Sequence, residues 1–175
     1  MKNNNNPIKY WILPDCHFGH KNIIKYCNRP DNYEELIINN TNGLVREEDI
    51  LLILGDLCLA GTEVWNRTVG QIKCPNKVLV IGNHDSRSTT WYYQHGMIFV
   101  CENFTLIYNG INILFSHRPV KKLLERTDIN VFAHIHDNKD NILFTEKQML
   151  CSIEKSNYCP IELEKLIIEC KKHDK

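Results

Sequence analysis

The chain has 175 residues, enough for one domain whose core needs no disulfide or metal staple. Its 21 Lys plus Arg balance 21 Asp plus Glu, which gives no bulk-charge signal for gripping a long polyanion such as nucleic acid. The eight cysteines form no C-x-x-C pair and no zinc-finger spacing, no apolar signal core follows Met1, and no apolar run approaches the ~18 residues of a membrane span, so the expectation is a cytoplasmic protein with reduced thiols and no membrane partner.

Residues 1–7 read as a polar N-terminal tail ending at Pro7, and 8–175 as a single domain. The apolar run Ile8–Leu13 predicts a buried strand. Asp31–Val45 has Tyr33, Leu36, Ile37 and Leu44 at helical spacing, with Asp31 as cap and Glu34 three residues on. Ile50–Leu54 predicts a strand, 61–72 a second helix, and Lys77–Ile81 a third strand-length run. Phe104–Tyr108 and Ile111–Phe115 flank Asn109-Gly110 and predict a hairpin with a two-residue turn. Asn130–Ala133 reads as another strand, and Asn141–Thr145 with Met149–Ile153 as a second hairpin. Pro160 opens a final helix whose Ile161, Leu163, Leu166, Ile167 and Cys170 share one apolar face. Strands with intervening helices and late hairpins predict an α/β protein with a mixed sheet.

Each of five apolar strands runs into Asp, Asn or His. Asp15 and His17 follow the first, Asp56 follows Gly55 after the second, and Gly82-Asn83-His84-Asp85 follows the third. His117 follows Ile111–Phe115, and His134 and His136 follow Asn130–Ala133. Five of the eight histidines fall at these ends. Ligands of α/β sheets gather at the carboxyl ends of strands, and carboxylate, amide oxygen and imidazole together suit a borderline divalent metal. Asp15 and His17 are two apart, as are His134 and His136, so on extended chain each pair faces one side, although ions at a strand end often bind where the chain is already turning. Gly55 and Gly82 stand where the chain turns sharply near the site.

This ordered set resembles the calcineurin-like metallophosphoesterase superfamily. Gly82-Asn83-His84-Asp85, with no Asp-Arg-Gly after Gly55-Asp56, is more similar to the small bacterial and phage-type phosphoesterases than to the Ser/Thr protein phosphatases. Asp15–Pro30 and Ser152-Ile153-Glu154 are also similar to that subgroup. One departure is Ala133, where family members usually carry Gly. The resemblance implies a four-layer α-β-β-α sandwich with mixed sheets. It implies a first metal on Asp15, His17, Asp56 and His136, and a second on Asp56, Asn83, His117 and His134, with Asp56 bridging. The two divalent ions (Mn, Fe, Zn, Co or Ni, with Mn favoured) then activate a hydroxide. Asp56 and His84 carry the catalysis, His84 as general acid or charge stabiliser at the leaving group. Asp85 is expected to support its loop.

Around this centre, Arg118, Arg87 and His20 are the candidate substrate-binding residues. A solvated guanidinium is the alternative for each arginine, and the start of a helix for His20. Glu154 reads as a surface carboxylate, with ordering of a site histidine as the alternative. Trp91, Tyr92 and Tyr93 read as packing. The expected activity is hydrolysis of a small, nucleotide-like phosphoester, a phosphodiester first. A nuclease acting on polynucleotide ends is the second enzymatic reading, and a metal-stabilised interaction scaffold the non-catalytic one.

Overall fold

The computed structural model describes residues 6–123, 125–136 and 147–173. β1 (Tyr10–Leu13), β2 (Ile50–Ile53) and β3 (Lys77–Val80) form within the apolar runs expected of them and pair in parallel. They are apolar throughout because both faces are covered. Trp11, Leu13, Leu51, Ile53 and Leu79 face a core shared with the helices. The alternating Ile12, Leu52, Val78 and Val80 face a second core between the sheets.

The first sheet runs β4-β3-β2-β1-β9. β4 (Met97–Cys101), parallel to β3, was not expected from the sequence. It lies at the sheet edge with Ile98 and Phe99 exposed, so its run looks neither alternating nor fully buried. β9 (Ile161–Glu162) pairs antiparallel to β1, and this corrects the start of the last helix. Ile161 and Glu162 are held in the ladder opposite Ile12 and Trp11, so α5 runs Leu163–His173, with Leu163, Leu166 and Ile167 buried between the sheets.

The second sheet runs β5-β6-β7-β8. β5 (Asn103–Tyr108) and β6 (Ile111–Ser116) form the expected hairpin, turned by Asn109 at φ 50° and Gly110 at φ 79°, the left-handed pair such a turn demands. β7 (Ile129–Phe132) lies parallel to β6. Of the second expected hairpin, Asn141–Thr145 lies outside the described residues. The other arm supplies β8 (Gln148–Leu150), which runs parallel to β7. The two mixed sheets thus stack as expected of this α/β fold. Among the described residues, α5 packs against β1 and β9, on the face of the first sheet that is turned toward the second.

On the other side lie α1 (Ile23–Tyr26), α2 (Tyr33–Leu44), α3 (Thr62–Arg67), a 3-10 turn at Val69–Gln71, and α4 (Thr89–Gln94). The expected cap of α2 does not form. Asn32 precedes the helix without a side-chain cap bond, because Glu34 instead accepts from the Gly19 N–H at 2.6 Å and pairs with Arg67 at 2.9 Å. α4 was not expected, although Ser88 caps it at the Trp91 N–H. Tyr92 is buried and Trp91 packs against the core, as their packing reading requires. No helix among the described residues is long and apolar enough to cross a membrane.

Candidate metal centre

The ends of β1, β2, β3, β6 and β7 bring the strand-end residues to one place. Asp15, His17, Asp56, His134 and His136 take φ of 41°, 52°, 48°, 73° and 55°. Of the two readings, extended alternation and an already turning chain, the second holds: the pairs two apart converge because the chain turns through left-handed conformations after each strand has ended. Non-glycine residues there cost on the order of 1–3 kcal/mol each and persist only when their surroundings hold them. Gly55, at φ 83°, leaves no room for a β-carbon, which would stand 2.5 Å from His117 Nδ1.

Two groups of ligand atoms result. Those of Asp15, His17 and His136 lie within 4.8 Å of one another, as do those of Asp56, His117 and His134. Asp56 Oδ2 stands between the groups, 3.6 Å from His17 Nε2 and 3.4 Å from His117 Nε2. Asn83 Oδ1 and His134 Nδ1 are each 3.1 Å from His117 Nε2. His117 Nδ1 is 2.7 Å from the Leu54 carbonyl, an acceptor, so Nδ1 carries a proton and Nε2 is the nitrogen turned toward the site.

The remaining atoms of the carboxylates are fixed by backbone. Asp15 Oδ2 accepts from the His134 N–H and Asp56 Oδ1 from the His84 N–H, both at 2.8 Å. Asp15 Oδ1 and both ring nitrogens of His17 are buried without a hydrogen-bond partner among the described residues. Unpaired lone pairs in a buried carboxylate and imidazole are costly unless a cation meets them. The donor set therefore fits divalent metal ions.

The ionisation of the metal-free residues shows the same need. Burial pushes the Asp15 carboxyl up to about 7 despite His136 and His117. Burial also lowers His17 to about 3 and His134 to about 4, the latter helped by His117 and Arg118. Asp56 resists burial through its hydrogen bond and charge interaction with His117, and falls to about 2. Burial thus holds His17 and His134 neutral, whereas at His136 the Cys27 and Glu154 hydrogen bonds outweigh burial and raise it to about 10, and at His117 the Asp56 hydrogen bond does the same, so a metal bound there displaces protons.

Several supporting residues surround the ligands. Asp85 accepts from the N–H groups of Asp56, Gly82 and Leu57 at 2.8, 2.8 and 3.0 Å, fixing the loop that carries Asp56. The Tyr33 hydroxyl donates to the His17 carbonyl at 2.8 Å. Glu154 is not the surface carboxylate expected: its side chain is 8 % exposed and Oε1 lies 3.1 Å from His136 Nδ1. Arg29, to which the sequence reading gave no role, is buried beside it. A lone Arg in a loop carries no sequence sign of burial.

His84 is exposed, its ring 5.6 Å from that of His17. His20 lies 5.5 Å from His17 and 6.3 Å from His84. Arg118 is exposed and its Nη2 donates to Asn83 Oδ1 at 3.1 Å. Arg87 instead lays its guanidinium over the Trp91 ring at 5.4 Å. Ala133 takes a negative φ and is buried in the inter-sheet core, so its methyl group strains nothing.

Comparison with known proteins agrees with this geometry. The profile of the family described as "Calcineurin-like phosphoesterase" matches residues 8–158. An uncharacterized protein, MJ1445 of Methanocaldococcus jannaschii, is 33% identical over 170 residues, covering 91% of this chain and 89% of that one. The Gene 66 protein of Mycobacterium phage L5 is 31% identical over 80 residues, 43% of this chain and 39% of its own. The solved structure of AQ665 from Aquifex aeolicus, a protein of unknown function, superposes with a TM-score of 0.73 at 22% identity, covering 91% of this chain and 98% of that one. Because the family profile extends from just before β1 almost to β9, across all five ligand-bearing strand ends, the chain belongs to the calcineurin-like phosphoesterases, metal-dependent hydrolases of phosphoesters.

Proposed function

We propose that the chain holds two divalent metal ions bridged by Asp56 and hydrolyses a small, nucleotide-like phosphodiester. The observation that carries this reading is Asp56 Oδ2, 3.6 Å from His17 Nε2 on one side and 3.4 Å from His117 Nε2 on the other. One carboxylate oxygen so placed serves both ligand groups. Asp15, His17 and His136 complete the first site, and Asn83, His117 and His134 the second. A mixed oxygen and imidazole set suits Mn, Fe, Zn, Co or Ni, with Mn preferred. Bound there, the pair supplies Lewis acidity to the phosphoryl oxygens and lowers the pKa of a water.

The protein's own groups orient the substrate and handle charge. The His84 backbone is tied to Asp56, so its exposed ring is held at the rim beside His17. It protonates or stabilises the leaving-group oxygen. Arg118 presents its guanidinium next to Asn83, and its paired donors suit a non-bridging phosphate oxygen pair. His20, on the His84 side, contacts the leaving group. The balanced net charge favours a small substrate over a polynucleotide.

The test compares bis-(p-nitrophenyl) phosphate with p-nitrophenyl phosphate in the presence of Mn, Ni, Co, Zn or Mg, with Asp56→Ala as control. Faster turnover of the diester, highest with Mn, is expected. Faster turnover of the monoester would overturn the diester assignment. Metal-loaded protein that hydrolyses neither would point to the scaffold reading.

A further inference from the structure

The Arg29 guanidinium is buried, with 3 % of the residue exposed, in a loop between α1 and α2. Among the described residues, its short contacts are with the metal centre and its supporting structure. Nη1 donates to the Cys16 carbonyl at 2.7 Å and Nη2 to the Asp15 carbonyl at 2.8 Å. Nε and Nη2 both donate to Glu154 Oε1, at 2.9 and 2.6 Å. Its face lies over the Tyr33 ring, 5.2 Å from the centroid, and the Tyr33 hydroxyl holds the His17 carbonyl. Glu154 is equally committed. Oε2 accepts from Ser152 Oγ at 2.9 Å, and Oε1 stands 3.1 Å from His136 Nδ1.

We infer that Arg29 and Glu154 form a positioning pair for the first metal site alone, which Glu154 serves by taking the Nδ1 proton of His136 in a hydrogen bond while Arg29 fixes the Asp15 turn. The inference rests on the two-metal reading above. A carboxylate acceptor on Nδ1 selects one tautomer, leaves the Nε2 lone pair for the ion and raises the basicity of the ring. The Arg29 guanidinium, 125 residues before Glu154 in sequence, ties the β1 end to Ser152-Ile153-Glu154, so the Asp15 turn and the His136 ring move as one body. The second site has its own device, the Leu54 carbonyl on His117 Nδ1, and among the described residues no hydrogen bond joins its ligands to the Arg29 or Glu154 side chain. Loss of the pair should therefore divide the two sites.

The ligand-type atoms of Cys27, His136 and Glu154 also lie within 4.8 Å of one another, which raises a third ion as a rival reading. Arg29 removes it. Its Nη2 is 2.6 Å from Glu154 Oε1 and 3.5 Å from His136 Nδ1, so the cation that cluster needs is already present as a guanidinium. An ion placed there would be repelled by it and would compete for the same carboxylate oxygen.

The test is metal titration calorimetry with Mn on the full chain, together with imidazole nitrogen NMR of the Zn-loaded protein, for wild type, Glu154→Gln, Glu154→Ala and Arg29→Lys. In Glu154→Ala the affinity of one ion should fall about 10- to 100-fold while the other is retained. Glu154→Gln, which keeps an acceptor oxygen for Nδ1–H, should lose less than Glu154→Ala. A purely structural residue would not produce that order. Wild-type His136 should show a protonated, hydrogen-bonded Nδ1, and Glu154→Ala should lose that bond. Arg29→Lys, unable to make the paired contacts, should weaken the same ion. Equal weakening of both ions, or unchanged affinities with an unchanged His136 signal, would overturn the inference while leaving the two-metal reading intact. A wild type binding one ion would overturn the two-metal reading, and the His136 signal in the four proteins would still decide whether Glu154 orients it.

Discussion

Gly82 and Asp56 are packed so closely that a β-carbon on Gly82 would overlap Asp56 Oδ1 and the Asp56 backbone nitrogen. Gly82 does not need a left-handed backbone; it needs the absence of a side chain. The Gly82→Ala variant should lower stability by about 1–3 kcal/mol through overpacking. It should also displace the bridging carboxylate and so reduce bound metal. Thermal denaturation and metal analysis check both effects, and a variant equal to wild type in both would show that the Asp56 loop has room to relax.

His84 touches Asp56 through its backbone N–H, and its exposed ring stands 5.6 Å from that of His17. Removing the ring should therefore leave the metals in place. His84→Ala should lower kcat by about 10²–10⁴-fold, the usual weight of a general acid, with metal content near wild type. Loss of metal in this variant would mean that the side chain is a ligand.

Arg118 is exposed and bonded to Asn83, so its loss should cost little stability. Arg118→Ala should raise KM for the diester by about 10-fold or more, as expected for a lost charge-assisted contact to phosphate. Arg118→Lys should recover part of it. An unchanged KM would return Arg118 to the role of a solvated arginine.

The parts of this protein that were legible in its sequence are those where one physical cause dominates. Buried parallel strands must be apolar throughout, so β1, β2 and β3 stand out, and polar residues at their ends stand out against them. The Asn109-Gly110 turn was legible because few residue pairs accept two positive φ values. Where two causes compete, the sequence was ambiguous. Glu34 suits a helix cap but is taken by Gly19 and Arg67. Pro160 suits a helix start, but the two residues after it are claimed by β1. The convergence of Asp15 with His17 was foreseen, from strand alternation or from a chain already turning, but the left-handed turns that produce it are sustained only by the surrounding packing. Arg29 was hidden, and Glu154 was legible only through the alternative that it orders a site histidine, because the two meet across a separation of 125 residues that no local pattern reveals.

Away from the site, Asp49 anchors the entrance to β1 and β2. Oδ1 accepts from the Lys9 N–H and Arg46, and Oδ2 from Trp11 Nε1 and Arg46. Burial alone would raise its carboxyl, but the Arg46, Lys9 and Trp11 bonds outweigh it and hold it well below the usual range. A depressed folded-state value gives stability that is present above the unfolded carboxyl's value, about 3.9, and is lost as pH falls below it. Asp49→Asn should thus be less stable than wild type by about 1–3 kcal/mol at neutral pH, and the gap should narrow below about pH 4. Urea denaturation across this range checks it; a gap that stays constant would show that charge plays no part.

The central claim, one carboxylate serving two ions, is tested most directly by counting the metal retained per chain after Mn loading and desalting, in wild type and in Asp56→Ala. Two ions in wild type and none held tightly by the variant are expected, because Asp56 Oδ2 faces both ligand groups. Two tightly held ions in Asp56→Ala would contradict the bridge, and with it the two-metal account of this site.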